Sequence, residues 1–125
     1  MEKSIRPKRF ALRRHQRIND VLTFSMLRSE GKVLRLNPFR VAFKSNAETL
    51  PRLGMAIPKR WAKRAVDRNR VRRWIRESFR QRQCQIGAVD VLVSLNARFS
   101  GKEDKTTERA LKRVLDEAWT KLSRF

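Results

Sequence analysis

Apolar residues recur along this chain in two periods, and the switches between them mark its elements. From about Gln16 to Ser29 the spacing is helical: Ile18, Val21 and Leu22 share one side, Ser25 continues it, and Gly31 ends the pattern. Phe39, Val41 and Phe43 then alternate with Arg40, Ala42 and Lys44, the rhythm of a half-buried strand. Leu34 and Leu36 extend the alternation up to Pro38, so this half of the chain holds two or three strands in all. Ser45 to Pro51 reads as a turn-rich connection. Leu53, Met55 and Ile57 alternate with Gly54 and Ala56 until Pro58 stops the strand. The two small residues on one face leave room for a close neighbour, either RNA or a packed helix.

A second helical pattern runs from about Lys63 to Gln83 and is broken by Gly87. At about 100° per residue, Val71, Ile75 and Phe79 lie together, with Trp74 and Ser78 at the edge of their stripe. Arg72, Arg76 and Arg80 form an i, i+4 ladder beside it, and Asn69 and Arg73 carry the polar face further round. Val89, Val91, Leu92, Val93 and Leu95 make a near-continuous apolar run, the mark of a strand buried on both faces. Asn96 to Asp104 is a loop containing Ser100-Gly101. A last helix covers about Thr106 to Leu122, with Leu111, Leu115, Ala118 and Leu122 as its stripe and Val114 and Trp119 adjacent. Trp119 is assigned to the core rather than to a base-stacking platform.

This order predicts an α+β fold, a small twisted sheet packed with helices, in one domain over residues 15–125. Residues 1–14 form a basic arm interrupted by Pro7. Phe10 and Leu12 anchor its end, and the arm either stays disordered or touches RNA phosphates.

Charge turns the fold reading toward function. Lys and Arg number 32 against 12 Asp and Glu, a formal net charge of +20. The excess is spread over the folded segments and implies a polyanionic partner, nucleic acid first and an acidic membrane surface second. It is densest on the second helix, where Glu77 is the only acid between Asp67 and Asp90. Like charges four residues apart repel, so an external polyanion accounts for the ladder better than a solvated face does. Planar guanidiniums fork onto phosphate oxygens and stay protonated. Lys59, Arg60, Lys63 and Arg64 add charge just upstream.

Candidate catalytic chemistry is sparse. Cys84 is the only cysteine, so neither an internal disulfide nor a cysteine cluster can form, as suits a reducing compartment. No acids stand at a metal-binding spacing. Asp116-Glu117 and Glu103-Asp104 are adjacent pairs, better read as charge on helix and loop. His15 has no partner in sequence. No phosphate-cradling glycine loop and no Ser/His/Asp set occurs, and no apolar run reaches the length of a membrane span. The N-terminus lacks the apolar core of a secretory signal. These features describe an RNA binder without its own active site.

Arg68-Asn69-Arg70, followed by Arg73 and Arg76-Glu77, resembles the signature of the protein subunit of bacterial ribonuclease P. Leu53-Gly54, Lys59-Arg60 and Ala65-Val66 flank it as they do in that family, and the likeness runs from about Leu12 to the final helix. The resemblance implies a left-handed βαβ crossover containing the basic helix, against the usual rule. It implies that the catalyst is an RNA subunit, and that the protein docks on this RNA and holds the 5′ leader of precursor tRNA between the first helix and the sheet. Divalent metals, Mg²⁺ foremost, would be bound chiefly by RNA. By the same resemblance Lys59, Arg60, Arg68, Asn69, Arg70, Arg72, Arg73 and Arg76 match the family's basic positions; with Lys63, Arg64 and Arg80, added on charge and helical spacing, they form the expected RNA-binding set. The location implied is the bacterial cytoplasm, with neither DNA nor membrane as partner. One departure stands out: positions that carry leader-facing aromatics in many members align with Ile18 and Leu22, and Phe24, the nearest aromatic, falls on another face of a helix begun at Gln16. The cleft is therefore expected to use Ile18, Leu22, Val41 and Phe43, with core packing as the competing role of the last two.

Three other functions fit parts of this pattern. A ribosomal-type structural protein would bind RNA and leave precursor tRNA untouched. A nuclease with carboxylates assembled from distant residues would cut RNA alone with Mg²⁺. A basic membrane-surface protein would need apolar stripes that here are committed to a core.

Overall fold

The computed structural model describes residues 16–47, 50–99 and 105–124, with seven elements in the expected order. These are α1 (Val21–Glu30), β1 (Lys32–Leu36), β2 (Phe39–Ser45), β3 (Arg52–Ala56), α2 (Ala65–Ile86), β4 (Val89–Leu95) and α3 (Lys105–Leu122). The basic arm and His15 lie outside the described residues, as do Glu48 and Ser100-Gly101.

The four strands form one sheet in the order β1-β2-β4-β3. Leu34 and Leu36 belong to a strand of their own: Pro38 and Asn37 turn the chain, and β1 pairs antiparallel with β2 from Lys32↔Phe43 to Leu36↔Phe39. β4 lies inside the sheet, antiparallel to β2 and parallel to β3. This placement explains its unbroken apolar run, since Val91, Leu92 and Val93 are all fully buried. The neighbouring strands β3 and β4 are parallel and joined through α2, so the basic helix is the crossover of a βαβ unit.

The sheet separates two apolar clusters. On one face Val41, Phe43, Leu53, Val91, Val93 and Leu95 pack with Val71, Ile75 and Phe79 of α2 and Leu111, Leu115 and Trp119 of α3. On the other, the alternate residues Ala42 and Leu92 meet Ile18 and Leu27, with Phe24, Val33 and Ala56 partly buried against them. The stripes read from α2 and α3 are the buried ones. Gly87 ends α2 at φ 86°, a left-handed value that glycine reaches without a Cβ penalty.

The first helix differs from expectation. It begins at Val21, and Asp20 caps it by accepting from the Thr23 amide at 2.9 Å. Residues 16–18 instead run along β3: the Ile18 amide donates to the Leu53 carbonyl at 2.9 Å, and Arg17 bridges Leu53 in parallel. Starting the helix later turns its faces. Leu27 is buried, whereas Val21 and Leu22 are each 77% exposed.

A polar clasp fixes β3 to β4. Asp90 accepts from Arg52 Nε at 2.7 Å and Nη2 at 2.6 Å, and from Asn46 Nδ2 at 2.9 Å. Asp90→Ala would leave the half-buried Arg52 guanidinium without its carboxylate. A loss of about 2–3 kcal/mol is expected, read as a lower urea midpoint at unchanged m. A loss under ~0.5 kcal/mol would show that solvent already screens the pair.

Candidate RNA-binding cleft

Arg72 and Arg76 leave α2 one turn apart, beside the buried stripe of Val71, Ile75 and Phe79. Both line a cleft of about 410 Å³ at the outer edge of β3, together with Arg17, Ile18, Asn19, Phe24, Leu53, Gly54 and Met55. Its cations come from two separate elements, while Phe24, Ile18 and Met55 supply apolar surface. The Arg72 guanidinium lies 3.4 Å from the Asn69 Oδ1, a neutral contact, and among the described residues it forms no ion pair.

Gly54 decides how close α1 can come. A Cβ there would lie 2.6 Å from Phe24 Cε1 and 3.3 Å from Ile18 Cβ. The small residue thus makes room for a packed helix, and it brings an aromatic ring to the cleft wall. This corrects the expected cleft. Phe24 lines it because the helix starts at Val21, five residues later than its apolar spacing suggested. Ile18 lines it too, though only 4% exposed, and Leu22 points away into solvent. Val41 and Phe43 are buried in the core beneath α2 and α3, on the sheet face opposite α1, and cannot reach it. Arg17 and Asn19 carry no periodic signal, and sequence reasoning missed them.

The other predicted cations have diverse surroundings. Arg64 forks onto Asp67 at 2.9 and 3.1 Å, and this hydrogen-bonded carboxylate raises the Arg64 pKa further above its ordinary value. Buried Asp67 also sits in the first turn of α2, where the helix dipole favours negative charge. Arg68 donates to the carbonyls of Ala62 at 3.0 Å and Lys63 at 2.8 Å, stitching the approach loop to the helix. Arg80 pairs with Glu77 at 2.5 Å. Arg73 is exposed on the side toward α3, in a groove shared with Glu77, Glu108 and Asp116. Asn69 is exposed and Arg70 half-buried, while Lys59, Arg60 and Lys63 are exposed on the turn before α2. The predicted set is therefore one basic surface in sequence but several in space.

Acidic and sulfur groups offer nothing comparable. Among the described residues no three His, Cys, Asp or Glu side chains gather where they could hold a metal ion, and Cys84 is an isolated exposed thiol. No helix among them is long and apolar enough to cross a membrane.

The family described as Ribonuclease P matches residues 12–119, which include the cleft and both cluster-forming faces. This chain belongs to the ribonuclease P protein family. The ribonuclease P protein component of Nitrosococcus oceani is 44% identical over 86 residues, 69% of this chain and 72% of the relative. That of Ralstonia pickettii is 39% identical over 99 residues, covering 79% and 70%. Among solved structures, the RNase P protein of Staphylococcus aureus superposes with a TM-score of 0.69 at 27% identity, over 82% of this chain and 94% of the other. The RNase P protein of Thermotoga maritima gives 0.66 at 26% identity, over 87% and 96%. Membership makes the chain the protein component of a ribonucleoprotein endoribonuclease that forms the mature 5′ end of tRNA, with catalysis lying in the RNA.

The cap of α1 is sensitive to acid. Hydrogen bonds from the Thr23 hydroxyl at 2.6 Å and the Thr23 amide lower the Asp20 pKa from its ordinary 3.8. A depressed carboxylate contributes stability above its unfolded pKa and loses it as pH falls through the folded value. Protection of the Thr23 amide from hydrogen exchange should therefore hold above pH 3.8 and fall below it. Asp20→Asn should keep the cap and flatten that dependence, whereas Asp20→Ala should lose protection at every pH. An unchanged acid profile in Asp20→Asn would assign the dependence to another carboxylate.

Proposed function

We propose that this chain holds the single-stranded 5′ leader of precursor tRNA in the cleft between α1 and β3, while the basic surface of α2 and its approach loop rests on the catalytic RNA of ribonuclease P. The observation that carries this reading is the meeting of Arg72 and Arg76 with Phe24 and Gly54 at one sheet edge. Cations there can track phosphates, while an aromatic edge and a glycine floor accept bases without reading their identity.

The arginines lower the repulsion between two polyanions, and each neutralised phosphate adds about 0.7 to the salt slope on single strands. Holding the leader fixes the scissile bond relative to the catalytic RNA, a proximity effect. Mg²⁺ is supplied and held by the RNA and its substrate, and no step of this chain passes through a protein-held metal. The setting is the bacterial cytoplasm, and the partner is RNA rather than DNA.

The deciding experiment measures precursor-tRNA cleavage at low Mg²⁺ with the protein alone, a bacterial ribonuclease P RNA alone, and both together. Stimulation only in the mixture, at the mature 5′ end, supports the proposal. Cleavage by the protein alone would require a carboxylate site in this chain. Tight RNA binding without stimulation would make it a structural RNA-binding protein.

A further inference from the structure

We propose that the hollow ahead of α2, walled by Trp61 and Phe99, is a second RNA site that takes one unpaired base of a single strand and the phosphate beside it. The proposal rests on the reading of this chain as an RNA binder, and adds a stacking residue and a cation to it. The hollow measures about 230 Å³ and is lined by Arg60, Trp61, Lys63, Arg64, Asp67, Arg98 and Phe99. That is below the roughly 300–1,000 Å³ of sites for drug-sized molecules and suits a single planar group. It is separate from the leader cleft: Arg64 precedes Arg72 by eight residues, about 12 Å along a helix.

Trp61 packs partly against the core and stays partly exposed at the hollow. The backbone fixes it on two sides, with its amide donating to Pro58 at 3.1 Å and its carbonyl accepting from Phe99 at 2.6 Å. Phe99 in turn is buried edge-on against Trp74, with centroids 5.6 Å apart at 89°. The indole itself stays half-buried, with the Arg60 guanidinium 5.7 Å from its centroid. A guanidinium over an indole is a weakly hydrated planar group on a π-face, the arrangement that a base stacking there would share or replace. Asp67, the single acid of the hollow, is already occupied by Arg64. Lys63 and Arg98 are exposed, and among the described residues neither has a carboxylate in ion-pair range. A local excess of cations beside an aromatic face distinguishes a nucleotide from an uncharged ring or a bare anion as the occupant.

Trp61 also reports on itself, because Trp74 is only 8% exposed and Trp119 fully buried. The test titrates the full chain with single-stranded hexa-adenylate, a blunt RNA duplex of equal phosphate number and poly-glutamate, following tryptophan fluorescence and affinity. Hexa-adenylate should quench the wild type. Trp61→Leu should lose the quench and about tenfold in affinity for the single strand alone, the scale of one base–aromatic stack. Arg98→Ala, which leaves the core untouched, should keep the quench and lower the salt slope by about 0.7. Equal losses on duplex and single strand in Trp61→Leu would reduce Trp61 to a packing residue and overturn the proposal. Quenching by poly-glutamate as strong as by RNA would replace the nucleotide with an acidic peptide. If Trp61→Leu and Arg98→Ala bind like wild type while Arg72→Ala with Arg76→Ala loses affinity, this site falls and the leader cleft stands. If none of them changes binding, both readings fall.

Discussion

Replacing Arg72 and Arg76 together by alanine should weaken binding of leader-bearing precursor tRNA by about a hundredfold while leaving the domain folded. Both guanidiniums line the cleft, and neither makes an ion pair with a described carboxylate. A hydrogen bond to a charged group contributes about 1.5–3 kcal/mol, so losing two should cost about 3 kcal/mol, or roughly two decades in Kd. The salt slope should flatten by about 1.4, two single-strand contacts at 0.7 each. Mature tRNA, which has no leader, should be affected far less. The fold should survive because the core contacts of α2 run through Val71, Ile75 and Phe79 on another face. Arg64→Ala with Arg68→Ala makes the contrasting pair: it releases Asp67 and two backbone carbonyls, and should loosen the start of α2 before it touches the cleft. An unchanged Kd and salt slope for Arg72→Ala with Arg76→Ala would take the ladder out of leader binding.

The contrast between those pairs shows what could be read from the sequence. Net charge and the ladder are properties of composition and helical period, so the basic surface was visible without a structure. The same was true of β4, a near-continuous apolar run, and of α3, whose apolar stripe matches the helical period. Which arginines are already engaged was not visible, because Arg68 ends on carbonyls of its own approach loop and Arg52 on an acid across the sheet. The cleft wall was hidden for a related reason. Ile18 and Val21 have helical spacing, yet pairing of residues 17 and 18 with Leu53 holds that segment extended, and the Asp20 cap starts the helix beyond it. That shift turns Phe24 onto Gly54 and Leu22 into solvent. On β2, alternation correctly placed Val41 and Phe43 on one face. It could not say which face would meet α1, because that depends on where two distant helices dock.

The largest loss of stability is expected from Trp119→Ala, at about 3–5 kcal/mol, against a total of about 5–15 kcal/mol for a domain. Trp119 is fully buried between α3 and α2, 5.4 Å from Phe79 at 75°, and its indole N–H donates to Ser78 Oγ at 2.5 Å. Truncation removes the ring, opens a cavity against Phe79 and orphans part of a polar seam in which Ser78 also donates to Asp116 at 3.2 Å. Trp119→Phe keeps most of the volume and gives up the hydrogen bond, so it should cost nearer 1–2 kcal/mol. Urea unfolding at constant m separates the two variants. The functional consequence runs through α2: Trp119 and Phe79 brace the helix from behind, while Arg72 and Arg76 face the cleft. RNA affinity of Trp119→Ala should therefore match the wild type where the variant is folded, and collapse with the unfolding midpoint. An affinity loss under fully folding conditions would mean that α3 sets the position of the arginines as well as the stability of the helix that carries them. A stability loss below ~1 kcal/mol would mean that α3 unfolds separately from the sheet.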